Sequence, residues 1–459
     1  MRLERISEKV PKWIEVIQKD PTIIAKMSSD SSVHKVVSLA NERYLHWERF
    51  RYYQMPGGFS PTEVWAYLKL QRMMSLKESP VTDRDGTAFR YWLPDCLLKS
   101  LNEIDRWSGE IIGTDHKDSL PQKSEYVISS LMEEAIASSQ LEGAATTRTV
   151  AKAMLREGRK PTDNHERMIL NNWRMMEHLL DHRETKLTPE ILCGMHRIIT
   201  EDTLDNPDDA GRFRTRDDVH VYYGDDIVHT PPPSSELKAR VERLCKFASS
   251  DDDSPWIPPV LKAIMLHFWL AYDHPFVDGN GRTARTLFYW YLLSRRYWIF
   301  EYLAISRYII RAPAQYERAY LYSEKDDNDF TYFLVYNLRA IGLAFHDLRE
   351  YLARKQKELK LANSFLKGSR GLNHRQKHLI YNALQNPDNV YTIQAHKNTH
   401  GIAYDTARAD LLGLQKKKFF KRERQGKEYV FIPAQELVNR CRPASPDTGK
   451  QPARKSLAD

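Results

Sequence analysis

His274-Pro275-Phe276-Val277-Asp278-Gly279-Asn280-Gly281-Arg282-Thr283-Ala284-Arg285 follows an apolar run at 258–273. The run has helical spacing, and the residues after Gly279 read as the start of a second helix, about 280–296. Between the two lies a short loop carrying an imidazole, a carboxylate and two glycines. A helix start leaves backbone N–H groups unpaired and carries partial positive charge, which suits phosphate oxygens. Glycines at 279 and 281 let the backbone approach those oxygens without a Cβ in the way. Asn280 lies between them. Arg282 and Arg285 stand three apart and share a face of the first turn, so both guanidiniums can grip one polyphosphate. Asp278, just outside the helix, is a carboxylate of the kind that anchors Mg²⁺ beside phosphates. His274 is the one group here suited to taking a proton near neutral pH. Together they imply attack of a hydroxyl on a nucleotide phosphate.

The pattern resembles the Fic family signature, His-Pro-Phe-x-Asp/Glu-Gly-Asn-Gly-Arg-x-x-Arg, with every specified position filled. The resemblance extends over roughly 165–345. LTPEILCGMHRIIT at 187–200 is similar to an early core helix of that family, and GRFR at 211–214 with the hairpin after it to its target-docking flap. It implies an all-helical core at 164–358 with one β-hairpin, and AMP transfer from ATP to a protein Tyr, Thr or Ser hydroxyl, the protein itself included. By motif position, His274 would be the base, Asp278 the Mg²⁺ ligand, and Asn280 the group positioning the α-phosphate. Arg282 would meet the β-phosphate and Arg285 the γ-phosphate, while Phe276 would be buried under the loop. Gly281 argues against the branch that transfers phosphate through a lysine at this place. The motif leaves the donor open, since relatives use UTP or CDP-choline.

Upstream, Val127, Ile128, Leu131, Ala135, Ile136 and Leu141 form an apolar stripe on a helix of about 124–142. Ser138 and Glu142 are four apart and face one way, and Gly143 can close the helix as a left-handed cap. Ser138-Ser139-Gln140-Leu141-Glu142-Gly143 resembles the inhibitory motif of Fic proteins, in the class with an N-terminal inhibitory helix, here 124–147. The resemblance implies that Glu142 pairs with Arg285 and occupies the γ-phosphate site. In some relatives the same glutamate positions a water that removes AMP, so this chain could do both reactions.

In DDVHVYYGDDIVHTPPP, Val219, Val221 and Tyr223 alternate and Gly224-Asp225 can turn the chain, which reads as a short hairpin. Its edge can pair with an extended target segment. Further helices are expected at about 164–183, 188–202, 235–249, 312–323 and 329–358. The region 1–123 reads as helical, with no chemical motif.

A polar stretch at 359–372 marks a boundary. Residues 373–433 read as three helices and a basic hairpin, similar to a winged helix-turn-helix. Its helix from Tyr404 would enter a DNA major groove, with Arg408, Lys416, Lys417, Arg422, Arg424 and Lys427 on phosphates. A DNA-binding regulator using the core as a nucleotide sensor is therefore the rival reading. So is transfer of another nucleotide or phosphate group. The tail 442–459 is expected to be disordered.

The 459-residue chain is 41% hydrophobic, enough for a sizeable core, and carries a formal charge of +8, with the surplus in the C-terminal quarter. That bias points to an anionic partner for the C-terminal module alone. Four scattered cysteines fit a reducing, cytoplasmic compartment. No apolar run is long enough for a membrane span, and an oligomer is compatible with these features.

Overall fold

In a computed structural model the described residues are 10–113, 123–250, 256–365, 371–385, 389–425, 428–434 and 437. They are mainly helical, with three antiparallel two-stranded hairpins. Contacts divide them into two units. The first takes the described residues of 1–119, 129–155 and 159–350, and the second those of 120–128, 156–158 and 351–459. Among the described residues no helix is long and apolar enough to cross a membrane.

The first unit is centred on the helix Pro259–Asp273, in which nearly every residue is buried. It packs against the motif helix Asn280–Ser294, also buried almost throughout. Asn164–Asp181, Pro189–Thr200 and Leu237–Ser249 surround this pair, and Pro313–Lys325 and Thr331–Phe365 follow it in sequence. The expected core helices are therefore present. The last runs to Phe365, past the boundary expected at 359, and an unforeseen helix fills Arg148–Glu157.

The N-terminal region is not purely helical. Its helices enclose a cluster of Val33, Val37, Phe50, Val64, Trp65 and Leu68. A hairpin, Lys77–Thr82 with Ala88–Tyr91, then leaves that cluster. Arg240 fastens the hairpin to the core. Its Nη groups donate to the carbonyls of Thr82 and Asp83, and its Nε donates to Asp273 Oδ1 at 2.7 Å. The Arg84 N–H reaches the Tyr272 hydroxyl at 3.0 Å. The hairpin thus braces the end of the helix that leads into His274. Periodicity could not reveal this, because the partners lie far apart in sequence.

The flap is shorter than its alternation suggests. Its strands are Val221–Tyr223 and Asp226–His229, and Val219 lies outside them. Val221 pairs with His229 and Tyr222 with Ile227, so the register slips between them and Val228 is the extra residue. A bulge of this kind breaks strict alternation.

The second unit contains the helices His374–Gln385, Ile393–His400 and Tyr404–Lys416 and the hairpin Phe420–Gln425 with Glu428–Pro433. Tyr391 exchanges backbone hydrogen bonds with Phe431 beside it. Leu379, Ile380, Leu411, Leu414, Phe420 and Phe431 form its core. Asp410 is the hub, accepting from Asn373, Arg375 and His396. Burial pushes its carboxyl up, but those donors outweigh burial and hold it well below the usual range. Gly413 is required by proximity, since a Cβ would lie 2.7 Å from the Gln376 amide. Lys427 and the tail 442–459 lie outside the described residues.

Candidate functional site

His274 ends its helix in a left-handed conformation, with φ 46°. Its Nδ1 lies 3.2 Å from the Ala271 carbonyl. A carbonyl only accepts, so Nδ1 holds the proton and Nε2 keeps a lone pair. Burial pushes this imidazole down to about 4, so at neutral pH it is a free base. Arg214, buried within the GRFR segment, grips the loop from behind: its Nε donates to the His274 carbonyl at 2.9 Å, and its N–H donates to the Pro275 carbonyl at 2.8 Å.

Phe276 is fully buried, as expected, and lies flat on His196 with ring centroids 3.8 Å apart. His196 Nδ1 accepts from the Gly211 N–H, and Nε2 donates to the Asp278 carbonyl at 2.8 Å. Asn280 closes the loop on itself. Its Oδ1 accepts from the Phe276 N–H at 2.9 Å and its Nδ2 donates to the Phe276 carbonyl at 2.8 Å. Each end of the amide thus makes one bond to the Phe276 backbone, and those bonds leave the second Nδ2–H unused.

The motif helix has no side-chain cap. Gly279 precedes it at φ +79°, where a Cβ would also meet Thr200. Gly281 differs: a Cβ there would run into the carboxylate of Glu142. The Glu142 side chain therefore lies directly over the helix start, where an anion is favoured. Arg285 Nη2 donates to Glu142 Oε1 at 2.8 Å and to the Ser138 carbonyl at 2.9 Å, and its Nε donates to Ser138 Oγ at 2.8 Å. Burial raises the Glu142 carboxyl, but the Arg285 charge and hydrogen bond override it and hold the group ionised.

Glu142 is placed by the end of the helix Lys123–Leu141. The Gly143 N–H bonds the Gln140 carbonyl and the Ala144 N–H the Ser139 carbonyl, with Gly143 at φ +92°. This is a Schellman closure. A Cβ on Gly143 would meet nothing, so glycine is needed for its backbone angle alone. Five further bonds hold the helix. Ser139 Oγ donates to the Met168 carbonyl, Asn172 Nδ2 donates to the Ala135 carbonyl, and Glu134 accepts from the Tyr289 hydroxyl and from the N–H and hydroxyl of Ser306. Glu134 was not expected in the site. The signal available was a glutamate on the apolar stripe between Leu131 and Ser138.

Arg282 is buried, donating to the Ile199 carbonyl at 3.3 Å and to Asp278 Oδ2 at 3.5 Å, while its Nε has no partner. The Asp278 side chain is 60% exposed beside the helix start. An open carboxylate next to an anion cradle fits Mg²⁺, which takes one or two carboxylates and completes its shell with phosphate and water. A separate group, His346, Asp347 and Glu350, clusters on the helix Thr331–Phe365 and takes no part in the motif.

Glu142, His274, Gly281 and Arg285 line a cavity of about 220 Å³ together with Val221, Tyr222, Val228, His229, Tyr316 and Tyr320. The flap thus reaches the site through Val221 and Tyr222 on one strand and Val228 and His229 on the other. Val219 is not in the lining. In the second unit Arg408, Lys416, Lys417, Arg422 and Arg424 are all exposed.

Residues 186–292 match the Fic/DOC family. The chain is 32% identical over 145 residues to the protein adenylyltransferase Fic of Drosophila virilis and 30% identical over 145 residues to that of Drosophila melanogaster. Each alignment covers 31% of this chain and spans only 28% and 27%, respectively, of those relatives. Among solved structures, a Fic family protein of Desulfovibrio desulfuricans G20 is 18% identical with a TM-score of 0.47, covering 73% of this chain and 96% of that one. Fic-1 of C. elegans, residues 134–508, is 17% identical with a TM-score of 0.48, covering 71% of this chain and 84% of that one. The matched segment 186–292 contains His274 and the helix start at Asn280.

Proposed function

We propose that the first unit is a protein adenylyltransferase held off by its own Glu142. The observation that carries this reading is the Glu142 carboxylate lying over Gly281 and paired with Arg285. A carboxylate in an uncapped helix start stands where a phosphate would stand.

With a nucleoside triphosphate in the cradle, the oxygen of a Tyr, Thr or Ser side chain attacks the α-phosphorus. The bond from that phosphorus to the β-phosphate oxygen breaks, pyrophosphate leaves, and the acceptor's proton passes to His274 Nε2. Backbone N–H groups at 280–282 and the guanidiniums of Arg282 and Arg285 face the charge that develops. Asp278 would hold Mg²⁺, whose role is to neutralise phosphate charge. The flap edge supplies main-chain partners for an extended target, which presents its hydroxyl with little demand on sequence. Glu142 works by occupying the anion site and Arg285 together. A triphosphate bound beside it has its α-phosphorus displaced, and a shift of about 1 Å costs on the order of a hundredfold in rate.

The test is incubation of wild type, Glu142→Gly and Glu142→Gly/His274→Ala with ATP and Mg²⁺, read by intact mass and by labelling of a cell lysate. Glu142→Gly should raise AMP transfer at least about tenfold, and the added His274→Ala should abolish the gain. Equal labelling by wild type and Glu142→Gly would sink the brake.

The second unit supports a separate reading. Three helices, a hairpin and exposed cations along Tyr404–Lys416 and Phe420–Gln425 are the parts of a winged helix-turn-helix that binds duplex DNA through phosphates. Affinity in a gel shift should then fall as salt rises, and Arg422→Ala should lower the salt slope by about 1. Affinity indifferent to salt would exclude it.

A further inference from the structure

The cavity beside the helix start is also walled by Val221 and Val228 of the flap and by Tyr316 and Tyr320, which form its apolar slot. Aliphatic and aromatic walls suit a flat heteroaromatic ring. Since Gly281, Arg285 and His274 line the same cavity, a nucleotide with its phosphates over the helix has its base directed there. This step rests on the nucleotide reading above.

The polar groups of the slot are not neutral in what they can recognise. His229 Nε2 lies 2.7 Å from the Tyr272 carbonyl and Nδ1 lies 3.0 Å from Glu324 Oε2. Both neighbours only accept, so both ring nitrogens carry protons. Burial opposes that charge, but Glu324 and the Tyr272 carbonyl prevail and the imidazole titrates above its ordinary range. The ring is thereby locked with no donor left for a ligand. Glu324 gives one oxygen to it, and among the described residues its other oxygen has no partner. Glu317, also in the lining, has a buried Oε2 with no hydrogen-bond partner.

We infer that Glu324, oriented by His229 and assisted by Glu317, selects a nucleotide whose base offers an exocyclic amino group. Adenine and cytosine present an N–H to a carboxylate oxygen. Hypoxanthine and uracil present a carbonyl oxygen at the same ring position, leaving two acceptors face to face. A site built to accept a hydrogen bond rejects the analogue that lacks the donor, because its own buried group is left unpaired.

Two pairs of triphosphates differ at that ring position by amino against oxo: ATP against ITP, and CTP against UTP. Calorimetric affinities are measured on the full-length Glu142→Gly protein with Mg²⁺. The amino member of each pair should bind about tenfold or more tightly. Glu324→Gln, whose amide can both donate and accept, should bring each ratio to within about twofold. Equal affinity within both pairs overturns the inference, as does a preference that survives both Glu324→Gln and Glu317→Gln. Should Glu324→Gln fail to fold, as judged by its melting, the ratios in the Glu142→Gly protein and in Glu317→Gln still decide. If none of the four triphosphates binds, the nucleotide reading falls and the selectivity with it. Binding without discrimination removes the selectivity alone.

Discussion

Beneath the helix start at Asn280 the loop is bonded to its own fold. Phe276 lies flat on His196, the Asn280 amide is tied to the Phe276 backbone, and Arg214 holds the carbonyl of His274. Above it the covering is one carboxylate on the end of another helix, held chiefly by Arg285. The lower side is a folding requirement that happens to present a base and a row of N–H groups. On the proposed reading, the upper side stands in for a ligand. Two glycines separated by one residue sit on the two sides and let them be told apart.

Gly279 should give the larger effect. Its backbone is left-handed at φ +79°, and a Cβ would stand 2.7 Å from Thr200 Cγ2 and 3.3 Å from His196 Nε2. Left-handed strain and overpacking add, so Gly279→Ala should cost about 3 kcal/mol. Urea unfolding followed by tryptophan fluorescence measures it. The loss should be the same with Glu142 present or replaced by glycine, because neither Thr200 nor His196 belongs to the helix that carries Glu142. A loss that vanishes in the Glu142→Gly background would mean that the lower side is not independent.

Gly281 should change sign with its cover. With Glu142 in place the methyl collides with the carboxylate, and Gly281→Ala should destabilise by about 1–3 kcal/mol. Glu142 supplies all three of the atoms nearest the methyl, so without it the clash goes, and alanine is the better helix former by up to about 1 kcal/mol. The four proteins of this double-mutant cycle should therefore show coupling of at least about 1 kcal/mol. Additive behaviour would mean that the carboxylate does not rest where the structure puts it.

The same division explains what could be read from the residues alone. The motif 274–285 was legible because its chemistry is local: a loop, a helix start and charges one turn apart. The core helices followed from apolar spacing, and Gly143 from the need for a left-handed closure. The tie between the Asn280 amide and the Phe276 backbone was not legible, because only the closed loop brings the two together. The hairpin was legible from the alternation at 219–223, but its shorter strands and the bulge at Val228 on the second strand were not. The hold of Arg240 on the N-terminal hairpin was invisible, since its partners there lie more than a hundred residues away. The seating of Glu142 was readable only through its resemblance to a known motif. Ser138 and Glu142 on one face say nothing about which arginine they meet.

The smallest expected effect is also the one that best separates a buried base from an ordinary one. Burial holds the His274 imidazole near 4, and Glu142 is among the groups that raise it. Removing that carboxylate moves it further down. With His274 as the proposed base, protonation inactivates, so kcat/KM of the Glu142→Gly protein should fall only as pH approaches that low value from above. Between pH 8 and pH 6, with Mg²⁺ saturating, the rate should change less than about twofold, where a solvent-exposed histidine titrating at its ordinary value would lose about fourfold. A fourfold decline would place His274 in water and deny the lower side its grip on the ring. A flat profile in the Glu142→Gly protein that steepens in Glu142→Gly/Arg214→Ala would assign that grip to the arginine behind the loop.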